Sequence, residues 1–205
     1  MAKQIEGVYE KVLECAKIEF LEKGFKDASL RTIAQNAGTS TGSIYTRFVD
    51  KNGLFEALVS SFAEGLKEIY LSAQVDFSRL PGGEQRETVF DYSTDKFQDF
   101  ISYIYHHFDE AKLLITCSEG TTFANFVHSL VELDVEYTKK FIEAIGSDAL
   151  TSGRATPEFL HIISSAVFSG VFEIVVHDMT RQAAEQYISR LRRFFQAGWD
   201  TILNP

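Results

Sequence analysis

The stretch Ser29–Phe55, SLRTIAQNAGTSTGSIYTRFVDKNGLF, decides how the chain is read. Ser29 can cap a helix starting at Leu30, its hydroxyl accepting from an unpaired first-turn amide. Leu30, Ile33, Ala34 and Ala37 follow at i, i+3, i+4 and i+7, so one face is apolar. The two alanines let a neighbouring helix approach closely. Gly38 can take the left-handed backbone that ends a helix. Ser40 or Thr41 can cap a second, shorter helix that turns Ile44 and Phe48 inward. Its outward residues are Thr41, Gly42, Ser43, Tyr45, Thr46 and Arg47, none of them acidic. Asp50 can cap a third helix from Lys51.

Two helices around a glycine turn form a helix-turn-helix, whose second helix is suited to the DNA major groove. Hydroxyls and an arginine can bond phosphates and base edges, and Gly42 allows close backbone approach. Amides at the start of the short helix add partial positive charge. On spacing alone, a helical hairpin with a polar outer face fits equally well.

The segment IAQNAGTSTGSIYTRFVDKNGLFEALV resembles the N-terminal signature of the TetR family of transcriptional regulators. Ile33, Ala34, Ala37, Gly38, Ser40, Gly42, Ile44, Tyr45, Phe48, Lys51 and Leu54 match its pattern. The preceding VLECAKIEFLEKGF is similar to the family's first helix, with Val12, Leu13, Ala16, Phe20, Gly24 and Phe25 in place. Thr39 stands where valine is usual, with the same shape. Gly53 replaces a glutamate or similar residue, a change expected to loosen its helix by up to about 1 kcal/mol.

The resemblance implies an all-α protein. A three-helix DNA-binding domain over residues 1–50 would precede a larger helical bundle over 51–205 for ligand binding and dimerisation. It also implies a homodimeric repressor released from a palindromic operator by a small molecule. Thr41, Gly42 and Tyr45 are the expected base-edge or groove contacts, and Arg31 reaches a base or phosphate. Ser43, Arg47 and Lys51 are expected on phosphates, with Thr46 in either role.

Composition is consistent with this. The chain has 205 residues, 45% of them hydrophobic, and a formal net charge of -9. That charge excludes a whole-surface polyanion binder. From Lys23 to Lys51, however, five Lys or Arg stand against two acids, a local net of +3. Cys15 and Cys117 lack metal-ligand spacing and read as reduced thiols of a cytosolic protein. The N-terminus begins with a charged amphipathic helix rather than a signal peptide, so a cytoplasmic location is expected. Leu160–Val176 is apolar but short for a bilayer span and interrupted by His161, Ser164, Ser165, Ser169 and Glu173. It reads as a bundle helix, with no membrane partner.

Beyond Lys51 the pattern predicts helices from Lys51 through Ala73, over Gln85–His107, Asp109–Ser118, Thr121–Ile145, Pro157–His177 and Arg181–Leu203. A loop is expected over Phe77–Gly83. The last two helices are candidates for a dimer interface through Ile163, Val167, Gly170, Val171, Ile174, Tyr187, Leu191 and Phe194. The final helix carries two apolar stripes, Tyr187/Leu191/Phe194/Trp199 and Ile188/Phe195/Ile202, which suggest two packing partners.

The aromatic-rich middle is the expected sensor for an apolar or aromatic effector. Its candidate contacts are Phe100, Tyr103, His107, Cys117, His128, Glu132, Phe168 and Phe172. His106, His107, Asp109 and Glu110 form the one cluster resembling a metal or acid/base site. Adjacent histidines on a helix diverge by about 100°, so they read as a solvated helix boundary. No nucleophile elbow, phosphate loop or dinucleotide fingerprint occurs. No enzymatic activity, cofactor or metal is expected. The competing reading is a helical ligand-binding or catalytic protein that does not bind DNA.

Overall fold

The computed structural model describes residues 2–203, with side chains from residue 7 onward. Met1, Asn204 and Pro205, at the outer ends of the two expected domains, lie outside the described residues. The described residues form α1 (Ala2–Asp27), α2 (Leu30–Asn36), α3 (Thr41–Phe48), α4 (Lys51–Ser78), α5 (Gly82–His106), α6 (Phe108–Thr116), α7 (Phe126–Ala144), α8 (Pro157–Val176) and α9 (Arg181–Leu203), with no strand. The architecture is all-α, as the sequence implies.

Two expected boundaries move. The loop before α5 shrinks to Arg79–Pro81, because α4 continues to Ser78 and α5 starts at Gly82. α7 starts at Phe126 rather than Thr121. The Thr121 hydroxyl instead donates to Ser118 O and accepts from Phe123 N, holding a turn where a first helical turn was expected.

The chain divides into two compact units. One comprises residues up to 65 together with 107–126; the other comprises 66–106 and the residues from 127 onward. Residues 51–65 and 107–126 thus join the N-terminal unit, unlike the division expected at residue 50. α4 contributes residues to both units.

In the first unit, α1 buries Val12, Ala16 and Phe20, α2 buries Ile33 and Ala34, and α3 buries Ile44 and Phe48. Leu54, Phe55, Val59 and Phe62 of α4 and Leu113 and Leu114 of α6 complete the core. Phe20, Phe25 and Phe55 pack mutually at 5.3–5.9 Å between ring centroids. The buried Glu19 carboxylate accepts from Ser29 N at 3.0 Å, while Ser29 Oγ accepts from Thr32 N at 3.3 Å. Two amides at the start of α2 are thereby satisfied. Gly38 ends that helix with φ 67°, where glycine has no Cβ to obstruct it.

In the second unit, Leu66, Tyr70 and Phe77 of α4 are buried, with Phe100, Ile101 and Ile104 of α5. Leu130, Val131 and Ile142 of α7 and Leu160, Phe168, Val171 and Phe172 of α8 are buried in the same unit. Ile142, Ala149, Ala155 and Leu160 form a smaller cluster against Phe159, Trp199 and Ile202. Arg154 fixes the loop before α8. Its Nε donates to Ile202 O at 2.9 Å and its Nη2 pairs with Asp148 at 2.5 Å, which holds that carboxyl below its usual range.

The turn between α3 and α4 explains Gly53. Asp50 N donates to Phe48 O at 2.7 Å across Val49, whose φ is 68° and ψ is -51°. This is a γ-turn, a strained conformation and a costly one for a β-branched residue. A Cβ on Gly53 would collide with the Phe48 carbonyl oxygen, so the glycine makes room for the turn. Replacing Gly53 with alanine is expected to lower stability by about 1–3 kcal/mol, the usual cost of forcing an atom into filled space. Thermal unfolding checks this; the helix-propensity gain of alanine alone would raise the midpoint instead.

Candidate nucleic-acid interface and ligand cavity

Two sites emerge, one in each unit. The first is the outer face of α3. Ser40 caps it, its Oγ accepting from Ser43 N at 3.2 Å. Ile44 and Phe48 point inward, and Tyr45, 53% exposed, points out with Gly42, Thr46 and Arg47. Thr41 and Ser43 are half-buried, and Arg31 is exposed on α2. The Arg47 guanidinium lies 5.6 Å from the Tyr9 ring centroid, and Tyr9 stacks on Phe48 at 5.5 Å. The Thr46 hydroxyl donates to Gly42 O at 2.8 Å, which leaves its oxygen as an acceptor. A side chain at Gly42 would meet nothing nearer than Ser40 Oγ at 3.6 Å. The fold itself does not require glycine there, so any benefit lies in approach from outside.

Lys51 is placed differently from the phosphate role expected of it. Its Nζ donates to Lys26 O at 3.0 Å and to Ala28 O at 3.1 Å. It also lies 4.8 Å from the centroid of the Phe25 ring. Lys26 pairs with Glu119, a residue 93 positions away in sequence. Lys17 likewise pairs with Asp109 at 2.7 Å. Of the five cations counted from Lys23 to Lys51, Lys26 is thus paired with an acid that residues 107–126 bring to the unit.

The second site is a cavity of about 300 Å³ inside the second unit, at the lower end of the size range for small-molecule sites. α4 supplies Ile69, Tyr70, Ala73 and Phe77 to it; α5 supplies Phe90, Tyr92, Phe97 and Phe100. Asp134, Tyr137 and Phe141 come from α7, Ile163, Val167, Phe168 and Val171 from α8, and Leu191, Arg192, Phe195 and Trp199 from α9. Asp134 Oδ1 accepts from the Tyr70 hydroxyl at 2.5 Å, and Oδ2 accepts from Ser164 Oγ at 2.5 Å. Gln74 Nε2 donates to the Tyr70 oxygen at 2.7 Å. Burial raises the pKa of Asp134 despite these two donors, and burial beside that carboxylate pushes the Tyr70 phenol well up. Arg192 Nη2 donates to Phe90 O at 3.0 Å and Ser93 Oγ at 2.8 Å, its guanidinium facing the Phe90 and Phe97 rings.

Of the sensor residues expected from sequence, Phe100 and Phe168 line this cavity. Phe172 is buried behind them, 6.3 Å from each ring. Tyr103 is not among the lining residues. His107 and Cys117 belong to the first unit, where His107 lies 6.1 Å from Phe62 and the Cys117 thiol is buried. His128 and Glu132 pair with each other on the exterior at 3.4 Å, the histidine ring also meeting His161. Asp134 escaped the sequence reading. In sequence it is the middle acid of Glu132, Asp134 and Glu136 on one helix, and nothing local separates a solvated acid from a buried one.

The residues expected at a dimer interface mostly have partners inside the unit. Tyr187 donates to Gly170 O at 2.9 Å, and Leu191 packs against Gly170. Ile163, Val167 and Val171 line the cavity, and Ile174 is fully buried. On α9, Phe195 and Trp199 reach the cavity and Ile202 the small core cluster, so two stripes do not demand two chains. Phe194 is the exception, 74% exposed. α8 also turns Ile162, Ala166, Ser169 and Val176 outward. Among the described residues α8 is the one helix long and apolar enough to cross a membrane. No group of described residues could hold a metal ion.

A short helix presented beside a capped partner, within an N-terminal helical unit, defines a helix-turn-helix protein. Residues 12–58 match the family model for bacterial regulatory proteins of the tetR family. It is 40% identical over 96 residues to the HTH-type transcriptional regulator YvdT of Bacillus subtilis, a match spanning 47% of this chain and 46% of that protein. It is 34% identical over 99 residues to the probable regulator YttP of the same organism, covering 48% and 44%. The matched stretch thus spans less than half the length of these relatives. Among solved structures, NalD of Pseudomonas aeruginosa, the secondary repressor of the MexAB-OprM multidrug efflux pump, shares the fold. Its TM-score is 0.57 at 20% identity, over 93% of this chain and 96% of that one.

Lys51→Met is expected to destabilise the chain by about 1–3 kcal/mol, since two carbonyls lose a charged donor. Chemical denaturation measures the loss; unchanged stability would return Lys51 to a purely external role.

Proposed function

We propose that this chain is a cytoplasmic, sequence-specific DNA-binding regulator, a homodimeric repressor that a small molecule releases from a palindromic operator. The observation that carries the reading is the outer face of α3. Capped by Ser40 and anchored by Ile44 and Phe48, it presents hydroxyl, phenol and guanidinium groups with no acid among them. Thr41, Gly42 and Tyr45 suit base edges. Ser43 and Arg47 suit phosphates and Arg31 a base edge or a phosphate; Thr46, with its proton on Gly42 O, can accept from a base-edge donor, and would have to release Gly42 O to bond a phosphate. The family model for tetR-type regulators matches residues 12–58, which include α3.

The dimer rests on the outward face of α8 and on Phe194 of α9. A two-fold axis there would match the symmetry of a palindromic operator. The release step rests on α4. One helix carries Leu54 and Phe55 in the first unit's core and Ile69, Tyr70 and Ala73 on the cavity wall. An apolar or aromatic effector that prefers one position of those cavity residues biases the position of the whole helix.

Selection of duplexes from a random pool tests the reading. Tyr45→Ala is expected to change which sequences are retained. Arg47→Ala should weaken all sequences alike and lower the salt dependence of binding by about one phosphate contact. If both variants bind as the parent chain does, α3 is not the reading helix.

The dimer has a separate test. Phe194→Asp together with Ile162→Asp is expected to give a folded monomer by sedimentation. An unchanged dimer would place the interface elsewhere.

A further inference from the structure

From the charges on the cavity wall we infer that the effector carries a cationic amine or ammonium group, which binds at Asp134 with its apolar body among the aromatic rings. The inference rests on the reading of this cavity as the effector site. Asp134 is answered by neutral donors alone, the hydroxyls of Tyr70 and Ser164. The cations on the same wall have other partners. Arg192 bonds Phe90 O and Ser93 Oγ and lies against two rings, and Lys96 pairs with Asp99 at 3.6 Å.

A carboxylate is a costly tie between two hydroxyls. A neutral amide could link α4 to α8 as well, without desolvating a charge. The carboxylate gains its advantage when a cation arrives. Beside it, Tyr70 meets Phe100 and Phe168 edge-on at 6.2 and 5.3 Å. Ring faces and a buried acid together favour a desolvated cation over a neutral group of the same size. An anionic ligand would instead have to draw Arg192 off its present partners and tolerate Asp134 in the same cavity.

Calorimetric titration of the full chain with 4-phenylbutylamine, 4-phenylbutanol and 4-phenylbutyrate tests the inference, since the three share one body and differ in head group. The amine is expected to bind about tenfold or more tighter than the alcohol, with the carboxylate weakest. Asp134→Asn should abolish the advantage of the amine and leave the alcohol unchanged, while Arg192→Met should preserve the ranking. Equal binding of amine and alcohol by the parent chain overturns the inference but leaves the cavity a ligand site, and needs no variant to be seen. Tightest binding by the carboxylate overturns it in favour of Arg192. Binding by none of the three overturns both the inference and the cavity as effector site. DNA binding by the same preparation reports on the regulator reading independently.

Discussion

The last carbonyls of α1 have no helical partner, and the Lys51 ammonium at the first residue of α4 takes the one on Lys26 together with that of Ala28. This contact links the chain leaving α1 to the start of α4 across the sequence that holds α2 and α3. The Phe25 ring under the same ammonium packs on Phe20 and Phe55, so the polar link and the core of the first unit share a residue. Between these fixed points α2 and α3 are short. They keep their places by caps and a few buried side chains, Ile33, Ala34, Ile44 and Phe48. Short helices are marginal on their own, and here their N-termini are satisfied by Ser29, Glu19 and Ser40.

What the sequence disclosed follows from the range of the forces involved. Caps, helical periodicity and the Gly38 turn are local, and they located α2, α3, the start of α4 and all of α9. The γ-turn at Val49 was not legible, because nothing in a valine announces a positive φ. Gly53 was read as a weak helix residue, when its value lies in clearing the Phe48 carbonyl. The same limit applies to charge. Five cations between Lys23 and Lys51 can be counted in sequence. That Glu119 and Asp109 fold back onto Lys26 and Lys17 is a long-range fact with no local signature. Aromatic content pointed to Phe90, Tyr92, Phe97, Phe100 and Phe168, which line the cavity, and equally to Phe108, Phe123 and Phe126, which belong to the first unit. It could not rank the aromatics, because Phe100 and Phe172 are equally apolar and differ only in which side of a helix meets empty space.

α8 shows how one helix meets several demands. Its sequence is apolar nearly all round, a pattern proper to a buried or membrane helix. Within the second unit Ile163, Val167 and Phe168 face the cavity, while Leu160 and Ile174 are fully buried. Ser164 is the polar exception on the inner side, and its hydroxyl is spent on Asp134. Gly170 thins the helix where Leu191 and Tyr187 of α9 press against it. What remains outward is Ile162, Ala166, Ser169 and Val176, a mix of two bulky and two small residues. A surface of that kind leaves the helix apolar on a side that the unit itself does not cover. Covering that side with a second protein surface is the part the proposed dimer would play.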